Sequence, residues 1–474
     1  MTDTANTSFS TLALSTALTD NLASLGYQTM TPVQAASLPL ILAGRDVIAK
    51  AKTGSGKTAA FGLGVLARLQ VKRFRVQSLV LCPTRELADQ VAVEIRKLGR
   101  GIHNIKVLTL CGGVPFGPQL GSLEHGAHII VGTPGRVLEH LEKGSLRLDE
   151  LNTLVLDEAD RMLDMGFAPA LDSILALAPA KRMTLLFSAT YPNAIADIAK
   201  RIMHDPAVVE VASPIQQNLI SQRFFSVDST QTRVQATIAL LTKAEFLPAN
   251  GDPSGVSSFV VFCNTRKETQ ELADALYEAG FSVLALHGDY EQREREQILI
   301  RFANKSVSVL VATDVAARGL DIDALDIVIN YQLAHDTDTH VHRIGRTGRA
   351  GSQGLAYSLV GPADDYKLAM LADLYPEALL PLAPAPQAEA RLQRQQARMI
   401  TLQIDGGKRQ KLRAGDILGA LTADQQLTRE HIGKINLLDD VAYVAIVRAH
   451  GKNALQKLMQ GIKGRSFRAR LIDE

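Results

Sequence analysis

The chain has 474 residues, 46% hydrophobic and 21% charged, the balance of an ordinary globular protein with room for about three domains. No apolar run reaches about 18 residues, and the opening MTDTANTSFS has no basic stretch leading into an apolar one, so neither a membrane span nor a secretory signal is expected. Three widely spaced cysteines (Cys82, Cys111, Cys263) exclude a disulfide framework or a zinc site and suit a reducing, cytoplasmic setting, while the net charge of +2 conceals a basic tail: residues 399–474 carry a net +5 and the remainder a net −3.

From residue 45 to about 360, short β-branched runs alternate with longer helical patterns. Strands are predicted at 46–51, 78–83, 127–134, 153–160 and 183–190, then at 257–264, 281–288, 307–314, 326–332 and 355–361. Nearly continuous apolar strands separated by helices indicate parallel sheets buried on both faces, one doubly wound domain per series. Turn-rich residues near 212–219 mark the join, and residues 244–257, with two prolines and two glycines, read as a surface loop. PEALLPLAPAPQAEA (376–390) reads as a linker. Beyond it a β-α-β-β-α-β order is predicted, with strands at 400–405, 432–438, 442–448 and 466–472 and helices at 414–424 and 452–461.

AKTGSGKT (51–58) lies between a strand and a helix. Thr53, Gly54, Ser55 and Gly56 form a turn whose backbone N–H groups can cradle phosphates. Lys57 would reach the β/γ-phosphates and the Thr58 hydroxyl would hold Mg²⁺. A hundred residues on, the apolar strand TLVL runs into Asp157-Glu158-Ala159-Asp160, at the end of a strand where open α/β sheets bind ligands. Asp157 can hold Mg²⁺ and Glu158 can orient and deprotonate a water. In HRIGRTGRAG (342–351), Arg343, Arg346 and Arg349 recur every third residue amid glycines, and guanidinium forks suit phosphate oxygens. His335, His340 and His342 lie close together, but no carboxylate or thiolate completes a metal pattern.

Taken in order, these motifs resemble the DEAD-box ATP-dependent RNA helicases over residues 9–365. Phe9 and GYQTMTPVQ (26–34) resemble the adenine-reading motif, which implies that Phe9, Tyr27 and Gln34 meet the base; Ser188-Ala189-Thr190 resembles the segment linking nucleotide state to RNA. PTRELADQ (83–90), Gly112-Gly113 and TPGR (133–136) resemble the RNA-gripping segments of the first domain, implying contacts from Thr84, Arg85, Gly113, Thr133 and Arg136. VVFCNTR (260–266), Gln292/Arg295 and ATDVAARGLDI (312–322) resemble those of the second. The resemblance implies Arg346 and Arg349 as arginine fingers, Asp321 on the ribose, Arg266 and Thr313 on RNA, and Ser188, Thr190 and His342 as coupling residues.

The tail resembles the specificity domain of the DbpA subfamily in LRAGDILGAL (412–421), IGKINLLDDVAYVAIV (432–447) and GIKGRSFRARLI (461–472). That domain is RRM-like, and the resemblance implies a hairpin of large-subunit ribosomal RNA as its target. RRM sheets usually stack bases on aromatics of the central strands, yet these strands offer only Tyr443. Binding would then rest on Lys408, Arg409, Lys411, Lys434, Lys463, Arg465, Arg468 and Arg470.

The resulting expectation is an α/β protein. Two tandem RecA-like doubly wound parallel-sheet domains (1–212 and 219–365) precede a linker (366–398) and a small α+β RRM-like domain (399–474). The expected activity is RNA-stimulated ATP hydrolysis coupled to local unwinding of short RNA duplexes in large-subunit assembly. ATP and Mg²⁺ are the cofactors, and RNA and pre-ribosomal particles the partners; the chain is expected to be monomeric, with no membrane association. Two alternatives stay open: an ATP-gated RNA clamp that recruits partners without unwinding, and a general helicase with a nonspecific tail.

Overall fold

The computed structural model describes residues 7–51, 55–191, 193–210, 220–242, 258–317, 325–348, 354–372, 375, 382–388, 396–424 and 426–472. The join at 212–219 and the loop at 244–257 lie outside the described residues.

In the first unit, strands β1 (Val47–Lys50), β2 (Ser78–Leu81), β3 (Val107–Leu110), β4 (Ile129–Gly132), β5 (Thr153–Asp157), β6 (Met183–Ser188) and β7 (Ala207–Glu210) pair in parallel in the order β3-β4-β2-β5-β6-β1-β7. Helices cover both faces, so alternate residues of one strand enter different cores. Val80 and Cys82 pack in one with Phe61 and Ile95, and Leu79 and Leu81 in the other with Ile174 and Ile195. That division explains apolar runs without alternation. Burial of each such side chain stabilises by roughly 1.5–3 kcal/mol. The helices that matter for the site are α1 (Pro32–Leu42), α2 (Lys57–Ala67), α3 (Arg85–Leu98), α4 (Phe116–Glu124), α5 (Pro134–Glu142) and α6 (Ala159–Asp164).

In the second unit, β8 (Ile220–Ser226), β9 (Phe259–Cys263), β10 (Val283–Leu286), β11 (Val309–Thr313), β12 (Ile327–Asn330), β13 (Gly354–Val360) and β14 (Ala383–Pro384) form a parallel sheet ordered β10-β11-β9-β12-β13-β8-β14. Its helices include α7 (Arg266–Glu278), α8 (Gln292–Ala303) and α9 (Thr337–Ile344). Within the stretch expected as a linker, β14 instead adds to the edge of this sheet, and Ala383, Ala385 and Ala388 pack on its core. Short alanines between prolines fit an edge that needs few ladder donors.

The C-terminal part folds as β15 (Met399–Ile404), α10 (Ala414–Thr422), β16 (Ile432–Leu437), β17 (Ala442–Val447), α11 (Gly451–Gln460) and β18 (Ala469–Leu471), an antiparallel sheet ordered β16-β17-β15-β18. Ile400, Leu402 and Ile404 face the core with Ile417, Leu421 and Leu458. The opposite, polar face of the sheet is not left to solvent. Thr401 Oγ1 lies 2.7 Å from Ser306 Oγ and accepts from Asn304 Nδ2 (3.3 Å), while Gln403 Oε1 accepts from Gln297 Nε2 (3.3 Å). Tyr443 is 6% exposed and hydrogen-bonds Gln297. The scarcity of aromatics on this face therefore has a packing reason: it meets α8 and the turn after it.

Candidate active site and nucleic-acid interface

Three loops meet at the carboxyl ends of β1, β5 and β6. The first begins α2 at Lys57, whose N-cap Gly56 holds φ +90°, a conformation that disfavours side chains. A Cβ there would also lie 2.4 Å from Gln34 Nε2. The close approach is used: Gln34 Nε2 donates to the Gly56 carbonyl (3.0 Å) and Thr31 Oγ1 donates to the Ser55 carbonyl (2.7 Å). Thr31 and Gln34 form a capping box at the start of α1, so the cap of one helix also latches the phosphate loop. Thr53 and Gly54 lie outside the described residues.

Lys57 is 6% exposed, and its Nζ has no hydrogen-bond partner among the described residues. A buried ammonium without an acceptor is costly, which makes it the polar group here that most needs an anionic ligand. Asp157 ends β5, and burial pushes its carboxyl up to about 6, with Lys57 opposing that rise. Glu158 follows at φ 51°, left-handed backbone that a non-glycine residue rarely holds, and its N–H donates to Asp157 Oδ1 (3.1 Å). Thr58 follows Lys57 in the first turn of α2 and is half-buried.

Phe9 is buried edge-to-face against Tyr27, with centroids 5.8 Å apart; the Tyr27 hydroxyl donates to Glu94 (2.7 Å) and Lys97 lies over its ring. Burial and Glu94 raise the Tyr27 hydroxyl pKa well above the usual range.

Asp160 emerges as the hub between this site and β6. Its Oδ2 accepts from both Thr190 N (3.0 Å) and Thr190 Oγ1 (2.9 Å), and its own N–H donates to Ser188 Oγ (3.2 Å). Its place as the last letter of the acidic tetrapeptide was the available signal, but the spelling alone does not separate it from a solvated helix start.

The RNA-type motifs occupy the carboxyl ends of the neighbouring strands β2, β3 and β4. Thr84 caps α3, accepting from Leu87 N (3.2 Å), and Arg85 pairs with Asp89 (3.5 Å). Gly113 holds φ +75° in the turn after β3. Thr133 Oγ1 accepts from Gly112 N (3.4 Å), tying that turn to the start of α5. Arg136 donates to the Val114 carbonyl (3.0 Å) and pairs with Glu139 (2.9 Å), leaving one buried nitrogen without a partner among the described residues. Thus Thr84, Arg85, Gly113, Thr133 and Arg136 come together on one end of three adjacent strands.

In the second unit, Thr313 ends β11 and Arg266 opens α7 after β9, where it pairs with Asp289. Arg343 departs from the reading of three equivalent arginines. It is 2% exposed, and its guanidinium grips Asp314 (2.6 and 2.7 Å), the Gln332 carbonyl (2.7 Å) and Asn264 (2.7 Å). It is a lock between α9 and three strand ends, because α9 turns it inward while Arg346 falls in the half-buried loop beyond. His342 is half-buried on α9; Asp321 and Arg349 lie outside the described residues. His340 is buried between Phe224 and Tyr375, its Nε2 3.1 Å from Gln222 Oε1.

Most of the tail cations form one pole of the C-terminal domain. Arg465 donates to the Gln410 carbonyl (2.7 Å), joining the Lys408–Lys411 loop to the turn that carries Lys463. Lys463 pairs with Asp416 (3.0 Å), Arg409 with Asp440 (2.9 Å), and the Arg468 carbonyl accepts from Asp405 N. Lys434 sits apart on the far edge strand β16, and Arg470 hydrogen-bonds Gln403 (3.2 Å) on the covered face.

Burial raises the thiol pKa values of Cys82, Cys111 and Cys263, so all three are inert core groups. Among the described residues no cluster of three His, Cys, Asp or Glu could hold a metal alone, and no helix is long and apolar enough to cross a membrane.

Comparison with known proteins agrees with this layout. The DEAD/DEAH box helicase model matches residues 31–198, the helicase conserved C-terminal domain residues 242–351, and the DbpA RNA binding domain residues 401–471. The chain is 53% identical over 468 residues to the ATP-dependent RNA helicase DbpA of Escherichia coli K12, covering 98% of this chain and 100% of that one. It is 42% identical over 359 residues to the DEAD-box ATP-dependent RNA helicase CshA of Geobacillus kaustophilus, covering 76% of this chain and 74% of that one. Saccharomyces cerevisiae Dbp5 bound to RNA and ADP BeF3 superimposes with a TM-score of 0.68 at 28% identity, covering 80% of this chain and 96% of that chain. With its nucleotide-type loop, acidic tetrapeptide and basic tail module on such a frame, the chain belongs to the DEAD-box ATP-dependent RNA helicases, in the DbpA branch.

Proposed function

We propose that this helicase couples RNA-stimulated ATP hydrolysis to local opening of short RNA duplexes, and that its C-terminal domain directs it to folded ribosomal RNA of the large subunit. The observation that supports the ATP site is the buried Lys57 ammonium beside Asp157, without a hydrogen-bond partner among the described residues. Lys57 would take the β/γ-phosphates. Bound Mg²⁺ would neutralise developing phosphoryl charge, and the hard oxygens of Thr58 and Asp157 suit it. Glu158 would orient the attacking water and accept its proton. Phe9, Tyr27 and Gln34 would meet the adenine. Asp321, Arg346 and Arg349 would complete the site from the second domain.

Thr84, Arg85, Gly113, Thr133 and Arg136, with Arg266 and Thr313, would hold the RNA backbone. The Asp160 bonds to Thr190 and Ser188 would report nucleotide state to it, with His342 acting in the second domain. In the tail, the pole formed by Lys408, Arg409, Lys411, Lys463, Arg465 and Arg468 would grip phosphates of a folded hairpin; Lys434 would be peripheral. The protein would act as a monomer in the cytoplasm on pre-ribosomal particles.

The test is ATP turnover with ribosomal RNA and with poly(A), at stated salt. Ribosomal RNA should activate more strongly, removal of residues 399–474 should abolish that preference, and Glu158→Gln should abolish turnover with either RNA. Wild-type turnover in Glu158→Gln would overturn the catalytic assignment, and an unchanged preference after truncation would overturn the targeting role.

A further inference from the structure

The strands whose carboxyl ends carry the RNA-type motifs have a second shared end. The loops preceding β2, β3 and β4 meet there around an open cleft of about 540 Å³, lined by Val71, Lys72, Phe74, Asn104, Ile105 and Lys106. Strands of four residues put this end about 13 Å from the motif end, before the loops are counted.

The cleft is built from fixed parts. Gln77 holds the 70–77 loop closed: its Oε1 accepts from Gln70 N (2.8 Å), and its Nε2 donates to the carbonyls of Gln70 (2.9 Å) and Arg73 (2.8 Å). His128 is completely buried, with Nε2 3.0 Å from the Val71 carbonyl and Nδ1 accepting from Lys106 N (3.1 Å). One imidazole thereby pins both walls. Phe74 lies against that imidazole (centroids 4.3 Å apart) and over Gly126, where a Cβ would come within 2.8 Å of its ring. Even so, Phe74 remains 42% exposed.

Lys72 and Lys106 line the cleft with this ring, and Arg73 and Arg75 flank it in sequence. Arg73 pairs with Glu150 (3.7 Å), Arg75 donates to the Phe74 carbonyl (3.1 Å), and Lys106 donates to the Ser122 carbonyl (2.9 Å). A preordered aromatic face flanked by cations matches a polyanion that also carries π-faces. An apolar protein partner would want a wider apolar rim than one phenyl ring supplies.

We propose that this cleft is an accessory site for single-stranded RNA, in which Phe74 stacks a base and Lys72, Arg75 and Lys106 take the flanking phosphates. It lies away from the helicase motifs and takes RNA that extends beyond them. The site goes beyond the proposed ribosomal role and does not depend on it.

The test uses the full chain, with oligo(U) of about six nucleotides and of about twenty, by fluorescence anisotropy over a salt series. In Lys72→Ala/Arg75→Ala the longer RNA should bind about tenfold more weakly at low salt, and the slope of log K against log salt should drop by about 1.4, two single-strand phosphates. The shorter RNA and RNA-saturated ATP turnover should stay at wild-type values, which separates failure here from failure of the helicase reading. Phe74→Leu, which keeps apolar packing on His128, should weaken the longer RNA about fivefold or more. An unchanged slope and affinity for the longer RNA would overturn the proposal. Equal losses for both lengths would also overturn it, as would undiminished RNA binding with loss of a ribosomal protein in nuclease-treated pull-downs.

Discussion

Thr190→Val is the sharpest perturbation of the proposed coupling between nucleotide and RNA. It keeps the shape of the side chain and the backbone N–H bond to Asp160 (3.0 Å), and removes only the hydroxyl bond to the same carboxylate oxygen (2.9 Å). A hydrogen bond to a charged acceptor contributes about 1.5–3 kcal/mol. The coupling free energy between two linked sites is itself about 1–3 kcal/mol. If Asp160 carries that coupling, the variant should lose most of it, and the gain in RNA affinity on adding a nonhydrolysable ATP analogue should shrink about tenfold or more. The assay is RNA affinity with and without the analogue, for wild type and variant, completing a thermodynamic cycle. A variant that melts at lower temperature yet keeps the full analogue-induced gain would show that the bond is structural only and that Asp160 does not carry the coupling through it.

Further outcomes follow from the same geometry. Gly56→Ala forces a Cβ into left-handed backbone at about 1–2 kcal/mol and onto the Gln34 amide, so ATP affinity should fall roughly tenfold or more in a nucleotide titration while RNA affinity without nucleotide holds. Burial, reinforced by Arg343, depresses the pKa of His340 from 6.5 to about 3. A depressed group contributes stability above its unfolded pKa and loses it as pH falls, so the second domain should be about 2 kcal/mol less stable at pH 5 than at pH 8 from this residue. His340→Gln, which can keep the bond to Gln222 and cannot titrate, should flatten that part of the denaturation profile; an unaltered profile would contradict it.

The reach of the sequence depended on how local the physics was. Buried parallel strands such as Leu79–Leu81 and Val260–Phe262 announce themselves, because both faces need apolar residues. β3, β7 and β8 did not: VLTL mixes in a threonine, AVVE buries only Val209, and ISQRFFS puts the polar run Ser221-Gln222-Arg223 inside the strand. The tail strands and helices were legible within a few residues, since one face of each meets a core. What could not be read was contact between distant segments. The repeat of Arg343 and Arg346 looks uniform, yet one side chain is swallowed by Asp314, Asn264 and Gln332. Likewise no pattern in ITLQI says that Thr401 and Gln403 meet Ser306 and Gln297 rather than a nucleic acid. The cleft around Phe74 belongs to the same class, since His128 joins residues 71 and 106 only in the fold.

In the proposed function, Arg346 of the second domain completes an ATP site whose phosphate loop and carboxylates belong to the first. Single-turnover ATP cleavage by Arg346→Ala with saturating RNA tests it most directly. A loss of about 10³-fold or more, with nucleotide and RNA still bound, is the predicted result. Cleavage at the wild-type rate would show that Arg346 plays no part in ATP hydrolysis.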